Sequence, residues 1–313
     1  MPSPSPSTPA ATDAPIRPTT FIGAPRLISR LGIDVTIASE AFQQTGSFKF
    51  RAAYNVASRV PQQMIITASS GNFGQAIARA CALLGKSCII VMPDTSAKVK
   101  IDAVREYGGT VDLVDVAQKS RAQRVAELAA QYPDAYLASP YDDPLVIEGN
   151  ASLGREIADS SRAFDCIVAP IGGGGLTSGI IAGVEASGKR IEVIAAEPLL
   201  ANDAARSLRA GAIIASEREM PTIADGARTL SVGKANWPIL QRGLAGIVEV
   251  DEAQIALGVR LLFELANLKV EPTGALSIGA LLTDPERFRG RSVCCVASGG
   301  NVDPAVYRGL LAD

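Results

Sequence analysis

The most informative stretch of this 313-residue chain is TGSFKFR, residues 45–51, in which Lys49 stands between two phenylalanines directly after a Thr-Gly-Ser turn. Lysine is normally a surface residue, and a lysine held against apolar neighbours has a lowered pKa and more free amine. A free amine is the group that forms a Schiff base with an aldehyde cofactor or a carbonyl substrate. Taken alone, the segment favours a solvated lysine at a helix start, whose aliphatic stem covers Phe48. The rest of the chain therefore decides between these two interpretations.

The composition restricts the chemistry that this chain can perform. Its 30 basic and 32 acidic residues are scattered and give a net charge of −2, so we expect no nucleic-acid or membrane partner. The five cysteines lie in apolar runs without CxxC spacing, which predicts reduced core residues of a cytoplasmic protein. The chain has no histidine, which excludes Ser-His-Asp and Cys-His nucleophile systems and His-ligated metals. Acid–base chemistry must come from lysine, hydroxyls, carboxylates or a cofactor.

Short β-branched runs alternate with helix-like segments along the chain. The predicted strands cover residues 64–67, 88–92, 111–114, 166–169, 191–195, 246–250 and 292–297. The predicted helices cover residues 74–84, 97–107, 122–131 and 251–267. This alternation predicts an α/β fold with mostly parallel sheet covered by helices on both faces. In such folds, ligands bind at the carboxyl ends of the strands, close to helix N-termini.

Two features suggest the domain boundaries. A Pro-Tyr-Asp-Asp-Pro run at residues 140–144 is the clearest internal break, and it predicts a small domain over residues 53–141. Residues 21–52 and 142–313 then form the large domain. Residues 1–20, rich in Pro, Ser, Thr and Ala, predict a disordered tail without the apolar core of a secretory signal. No uncharged apolar stretch of membrane-spanning length is present.

Two glycine-containing segments connect a predicted strand to a predicted helix. In IGGGGLTSG, residues 171–179, the glycines allow successive backbone N–H groups to face an anion, and the following helix adds its positive end. This pattern predicts a phosphate cradle, although it has neither the GKS of a nucleotide loop nor GxGxxG. In TASSGNFGQ, residues 67–75, hydroxyls and open N–H groups suit a substrate carboxylate. The alternative is an ordinary helix cap by Ser69 or Ser70.

Two later segments also carry polar groups next to glycine. In ASGGN, residues 297–301, Ser298 offers a neutral hydroxyl to a ring nitrogen, unless the segment is a simple loop. In EPTGA, residues 271–275, Glu271 opens a helix and is interpreted as a first-turn acid favoured by the helix dipole.

Five of these segments occur in the chain order of a known family. TGSFKFR, SSGNFGQ, GGGGL, EPTGA and SGGN resemble the fold type II pyridoxal-phosphate enzymes, and most nearly the serine racemase and threonine/serine dehydratase family. The resemblance implies a two-lobed α/β fold like that of the tryptophan synthase β subunit. It also implies that Lys49 holds pyridoxal 5′-phosphate as a Schiff base. The implied cofactor-binding residues are Lys49, Phe48, Asn72, Gly172, Gly173, Gly174, Gly175, Leu176 and Ser298.

The resemblance further implies a reaction. Lys49 would remove the Cα proton of L-threonine or L-serine, and loss of the β-hydroxyl, assisted by the cofactor phosphate, would lead to an α-keto acid and ammonia. Ser298 would leave the pyridine nitrogen unprotonated, which weakens the electron sink and suits elimination or reprotonation. The implied substrate-binding residues are Ser69, Ser70, Gly71, Asn72, Phe73, Arg121, Arg228 and Thr229. Relatives of this kind are usually homodimers.

Departures from the family pattern leave alternatives open. Phe73 stands where the family usually has histidine, and this change removes a polar group near the substrate carboxylate. Ser70 matches the catalytic acid–base of racemases. The alternative function is therefore a serine or aspartate racemase, in which Lys49 and Ser70 act on opposite faces of the substrate. Arg121 falls where racemase-like members contact a distal carboxylate of the substrate. This position makes 3-hydroxyaspartate, or a bulkier 3-hydroxy acid, an alternative substrate. The other interpretation of Arg121 is a surface arginine. The family's Gly-Gln-Gly-Thr is replaced by GNAS, residues 149–152, without an evident function.

The segment EPLLAND, residues 197–203, resembles the divalent-cation segment of the family. Glu197, Ala201 and Asp203 match its spacing of two carboxylates and a backbone carbonyl. Such oxygen ligands suit Mg²⁺ or Mn²⁺. The alternative is a pair of solvated acids that flank a helix start.

Overall fold

The computed structural model describes residues 15–69, 71–96 and 98–312. Within these residues it has ten strands and thirteen α-helices. The strands are β1 Thr20–Gly23, β2 Asp34–Ser39, β3 Met64–Ala68, β4 Ser87–Pro93, β5 Thr110–Val114, β6 Tyr136–Leu137, β7 Cys166–Pro170, β8 Glu192–Pro198, β9 Leu244–Val250 and β10 Ser292–Ala297. The helices are α1 Pro25–Leu31, α2 Lys49–Arg59, α3 Asn72–Leu84, α4 Lys98–Glu106, α5 Arg121–Gln131, α6 Pro144–Ala158, α7 Gly175–Ser187, α8 Asp203–Ala210, α9 Trp237–Gly243, α10 Glu252–Ala266, α11 Pro272–Thr283, α12 Pro285–Phe288 and α13 Pro304–Leu311.

The larger sheet has six strands in the order β1-β2-β10-β7-β8-β9. Strand β1 runs antiparallel to β2, and the other neighbouring pairs are parallel. Apolar residues of β10 and β7 are buried on both faces, as expected for strands covered by helices on each side. This sheet and its helices hold two of the hydrophobic clusters of the core.

The smaller sheet has four parallel strands in the order β5-β4-β3-β6. These strands all lie within residues 64–137, and the strands of the larger sheet lie outside that range. Helices α2 and α3 pack together beside it and bury residues such as Phe50 and Ile77. The division into a large and a small domain at residues 53 and 141 stays a prediction. The strands of the smaller sheet do lie between these two residues.

The predicted α/β class is confirmed, and each of the seven predicted strands matches an observed strand with small shifts at the ends. Strands β1, β2 and β6 were not predicted. β6 has only two residues, so it carries no alternation that a sequence pattern could reveal. Helix α2 begins at Lys49, as the helix-start interpretation of the opening segment expected.

The predicted disordered tail does not extend over residues 15–20. The backbone N–H of Thr19 donates to Glu156 Oε2 at 2.7 Å, and Thr20 begins β1. The buried guanidinium of Arg51 binds Glu40, Glu156 and the Thr19 hydroxyl, and thereby holds this segment against α2 and α6. The sequence pattern missed this because the partners lie far apart in the chain. Residues 1–14 lie outside the described residues.

All five cysteines are buried and free, as predicted for core residues. None of the helices in the described part of the chain is long and apolar enough to cross a membrane.

Candidate active site

A cavity of about 830 Å³ opens where β3, β6 and β10 end, at the carboxyl edges of the two sheets. This is where the sequence pattern predicts a ligand site. The predicted site residues in its wall are Lys49, Ser69, Gly71, Asn72, Phe73, Arg121, Arg228 and Thr229.

Lys49 extends into this cavity from the first turn of α2. Its Nζ donates a hydrogen bond of 2.7 Å to the backbone oxygen of Pro140. The same atom lies 5.1 Å from the ring centre of Phe48 and 5.6 Å from that of Phe73. Burial lowers the pKa of Lys49 to about 8, and the nearby Glu271 carboxylate offsets part of this effect. The surroundings of Lys49 therefore favour a reactive amine over a solvated lysine.

The glycine loop joins β7 to the first turn of α7. Gly174 has φ of +94°, a conformation that favours glycine, and Gly175 is the first helical residue. A Cβ on Gly173 would overlap the ring of Tyr141, so only glycine fits at that position. The first N–H groups of a helix have no partner within the helix and attract an anion. The loop is therefore suited to hold a phosphate group.

Two buried asparagines hold the carbonyl groups of this loop. Asn236 Nδ2 donates to the oxygen of Gly173 at 3.0 Å and to that of Tyr141 at 2.9 Å. Asn150 Nδ2 donates to the oxygen of Gly175 at 3.0 Å. The N–H and C=O of a trans peptide point in opposite directions. Asparagines that hold the loop carbonyls on one side of the backbone therefore direct the N–H groups of the same peptides to the opposite side. Asn150, in the segment GNAS that had no assigned function, thus supports the loop.

Ser298 follows β10 and is 1% exposed. Its Oγ has no hydrogen-bond partner among the described residues, and a buried hydroxyl without a partner is costly. A ring nitrogen of a bound cofactor would provide that partner. Ser298, Leu176 and the glycine loop are not part of the open cavity wall. At Gly173, the Tyr141 ring covers the loop.

The loop between β3 and α3 brings Ser69, Gly71, Asn72 and Phe73 to the cavity. The N-cap residue of α3 is Gly71 and not a serine. The Ser69 Oγ accepts the backbone N–H of Gly74 at 3.1 Å, so its hydroxyl still supports the start of α3. Asn72 and Phe73 are the first residues of this helix. Ser70, the predicted second acid–base, lies outside the described residues.

Glu271 is a cavity residue whose contacts were not predicted. Its Oε1 accepts a hydrogen bond of 2.8 Å from Asn72 Nδ2. Burial and the neighbouring Asp225 raise the pKa of Glu271 to about 8. Asn301 is a second such residue, because its Nδ2 donates to Asn72 Oδ1 at 2.8 Å. The sequence showed only a first-turn acid and a loop asparagine.

The outer part of the cavity carries basic side chains. Arg121 NH2 forms an ion pair of 2.7 Å with Glu219, and Lys100 pairs with Asp225 at 2.8 Å. Arg228 Nε donates to the backbone oxygen of Thr222 at 2.8 Å. Arg121 therefore lies at the cavity, as the resemblance implied, but its nearest partner is a carboxylate of this chain. Thr229 has a buried hydroxyl without a partner among the described residues.

Glu197 is the second-last residue of β8, and Asp203 begins α8 after the short 3₁₀ turn Leu199–Ala201. Both carboxylates are fully buried, which is inconsistent with solvated acids. Glu197 accepts the N–H groups of Ala204 and Ala205, while neither oxygen of Asp203 has a partner among the described residues. Burial raises the pKa of Asp203 to about 6. These donor atoms fit a hard cation such as Mg²⁺ or Mn²⁺.

No group of three or more His, Cys, Asp or Glu side chains is placed to hold a metal in the described residues. The predicted ligands are two carboxylates and the backbone carbonyl of Ala201, so only two of them are acidic side chains. The metal site stays a prediction.

Comparison with known proteins identifies the family. The family model for pyridoxal-phosphate dependent enzymes matches residues 12–299. A curated relative, the L-threo-3-hydroxyaspartate ammonia-lyase of a Pseudomonas species, is 35% identical over 289 residues, which cover 91% of this chain and 90% of that protein.

Solved structures agree with this result. A T.th. threonine deaminase has 36% sequence identity and a TM-score of 0.86, and the match covers 91% of this chain and 92% of that one. Maize serine racemase has 30% identity and a TM-score of 0.89, covering 94% and 91%. The relatives are lyases and racemases, so the chain is an enzyme of this type. It belongs to the fold type II pyridoxal-phosphate enzymes, in the serine racemase and threonine dehydratase family, and pyridoxal phosphate is its cofactor.

Proposed function

We propose that this protein is an ammonia-lyase that acts on 3-hydroxy amino acids and prefers 3-hydroxyaspartate to threonine and serine. The observation that carries the proposed reaction is the Lys49 amine in the cavity, with a pKa lowered to about 8. The preference for 3-hydroxyaspartate rests on Arg121 in the same cavity wall. In a chain without histidine, this amine is the strongest candidate for the base that the reaction needs.

Lys49 is suited both to hold the cofactor and to move a proton. With a pKa of about 8, roughly one tenth of its amine is free at pH 7, about 300 times the fraction at the ordinary pKa of 10.5. Pyridoxal phosphate, held by the glycine loop and Ser298, supplies the electron sink that stabilises negative charge at the substrate Cα. Lys49 Nζ then accepts the Cα proton. Loss of the β-hydroxyl and hydrolysis give an α-keto acid and ammonia.

The start of α3 provides a binding site for the α-carboxylate of the amino acid. Gly71 and Asn72 contribute polar groups at the positive end of this helix, which favours an anion. Phe73 presents an aromatic ring where the family usually has histidine. The carboxylate therefore depends on the backbone N–H groups at the start of this helix.

Arg121 supports a substrate with a second carboxylate. Its side chain is 33% exposed and that of its partner Glu219 is 49% exposed, and such pairs contribute only about 0–1 kcal/mol. A substrate carboxylate in the cavity can replace Glu219 at little cost and bind the guanidinium through two hydrogen bonds. The name of the Pseudomonas relative supports the same substrate.

The test compares substrates in two arginine variants. Keto acid release is measured with L-threo-3-hydroxyaspartate, L-threonine and L-serine for the wild type, Arg121→Ala and Arg124→Ala. Arg124 is the matched control because it lies on the same helix and binds Asp112 outside the cavity wall. We expect Arg121→Ala to raise KM for 3-hydroxyaspartate at least about tenfold and to change KM for serine less than about twofold. A wild type that prefers serine or threonine, or an equal effect of Arg121→Ala on all three substrates, would contradict the proposal.

Racemisation is the second candidate, favoured by the match to maize serine racemase over 94% of this chain. It requires a proton donor on the face opposite Lys49, for which Ser70 is the prediction. Measurement of the enantiomer ratio of serine and aspartate separates the two activities. If Ser70→Ala abolishes enantiomer exchange but leaves elimination intact, Ser70 is that donor.

A further inference from the structure

Glu271 lies in the cavity wall, where its carboxyl group forms a hydrogen bond with the side chain of Asn72. The residue is 5% exposed, and its Oε1 lies 2.8 Å from Asn72 Nδ2. A Cβ on Gly299 would lie only 2.7 Å from the same Oε1, so glycine at that position leaves room for the carboxyl group. Glu271 N–H also donates to the Gly299 oxygen at 3.1 Å. The carboxyl group is thus confined beside the Asn72 amide.

The contacts on the other side of Asn72 determine which way its amide faces. Asn301 Nδ2 donates to the backbone oxygen of Thr45 at 2.7 Å and to Asn72 Oδ1 at 2.8 Å. A backbone oxygen can only accept, so the Asn301 group there must be its NH₂. Asn72 therefore presents its oxygen to Asn301 and its Nδ2 to Glu271. The Nδ2 has two hydrogens, and Glu271 accepts one of them.

We propose that Glu271 is a positioning residue, which fixes the Asn72 amide so that its second N–H is available to an anionic oxygen bound in the cavity. A flipped amide would present its carbonyl oxygen and repel such a ligand. This inference deepens the proposed function, because it assumes that the cavity binds the cofactor and the amino acid. It names a residue that neither the motif pattern nor the resemblance had assigned to the site.

The role requires an acceptor and not a negative charge. Within the described residues, no ion pair joins Glu271 to Lys49, and the other charged groups near it are Asp225 and Lys100. The raised pKa leaves much of the group uncharged at neutral pH, and an uncharged carboxyl still accepts through its carbonyl oxygen. Glutamine at this position keeps that acceptor and removes only the charge.

The test measures cofactor binding separately from catalysis. The purified holoenzyme is stripped of pyridoxal phosphate, and the Kd for its return is measured by visible absorbance, together with kcat, KM and thermal unfolding. We expect Glu271→Ala to raise Kd and KM about tenfold each, and Glu271→Gln to recover both to within about threefold of the wild type. The double variant with Asn72→Ala should be no worse than Asn72→Ala alone, because both changes remove one interaction.

A second variant addresses the other side of the network. Asn301→Ala frees the Asn72 oxygen and should raise Kd severalfold, which provides the test if Glu271→Ala does not fold. Loss of binding in Glu271→Gln equal to that in Glu271→Ala would show that the charge matters and would overturn the proposal. Additive effects of Glu271→Ala and Asn72→Ala, or a lower unfolding temperature with unchanged Kd, would also overturn it. Because Kd is measured without substrate, these results are independent of which amino acid the enzyme uses.

Discussion

Replacement of Lys49 by methionine should stabilise the protein once the cofactor has been removed. Burial lowers the pKa of Lys49 from 10.5 to about 8, so the folded protein binds a proton at this site less tightly than the unfolded chain does. The difference corresponds to about 3 kcal/mol in the free energy of unfolding at neutral pH. Methionine has a similar length and is uncharged, so its burial does not require the desolvation of a charge.

The sign and the pH range follow from the two pKa values. Between about pH 8 and 10.5, the unfolded chain still holds the proton and the folded protein has released it, so the stability of the wild type rises with pH in this range. The variant should therefore exceed the wild type by about 3 kcal/mol at pH 7, by about 2 kcal/mol at pH 9, and by less than about 0.5 kcal/mol near pH 10.5.

Urea unfolding of the two apoenzymes, followed by circular dichroism across this pH range, measures the difference. The cofactor must be absent because it binds the folded state and adds its own stabilisation. Lys98→Met is the matched control, since the Lys98 side chain is 88% exposed and its replacement removes no buried amine. A gain below about 1 kcal/mol at pH 7, or a gain that does not change up to pH 10.5, would refute the reasoning about Lys49.

Three further predictions concern the groups that support the cofactor and the cation. Gly173→Ala should weaken pyridoxal phosphate binding at least about tenfold, because its methyl group overlaps the Tyr141 ring. The control Gly23→Ala should leave the Kd unchanged, because a Cβ at Gly23 meets no atom within 4 Å. Asn236→Ala should raise the same Kd about tenfold, since two carbonyls lose their donor, and an unchanged Kd would show that the loop needs no such support. Mg²⁺ should raise the unfolding temperature of the wild type but not that of Asp203→Asn, and equal shifts in both would argue against a cation at this site.

Several residues that the sequence singled out lie near the ends of strands or at the starts of helices. Lys49, Asn72 and the glycine loop stand at strand or helix ends, and the topology of a parallel sheet brings such ends to one edge. Local patterns thus predicted both the fold class and the position of the cavity. The order of the motifs along the chain then indicated the chemistry.

The residues that the sequence could not identify act through distant partners. Glu271 and Asn301 contact Asn72 across 199 and 229 positions of the chain. Asn236 reaches the glycine loop across 63 positions. No local pattern distinguishes these side chains from ordinary caps or loop residues, because their roles arise only when distant parts of the chain pack together.

For Arg121, the sequence indicated the position at the cavity but not the ion pair that the side chain forms. The resemblance implied its place at the cavity, but its ion pair with Glu219 joins residues 98 positions apart. Whether the guanidinium binds a substrate depends on this competing carboxylate, which the spacing of motifs does not reveal.

The central claim is that Lys49 is the residue that carries pyridoxal phosphate. Three lysines line the cavity, namely Lys49, Lys100 and Lys269, so the assignment can be tested against real competitors. Borohydride reduction of the purified holoenzyme, followed by peptide mass spectrometry, locates the attached cofactor. We predict a single pyridoxyl adduct on Lys49 and loss of the visible absorbance band in Lys49→Ala. An adduct on Lys100 or Lys269, or a band that persists in Lys49→Ala, would contradict this claim.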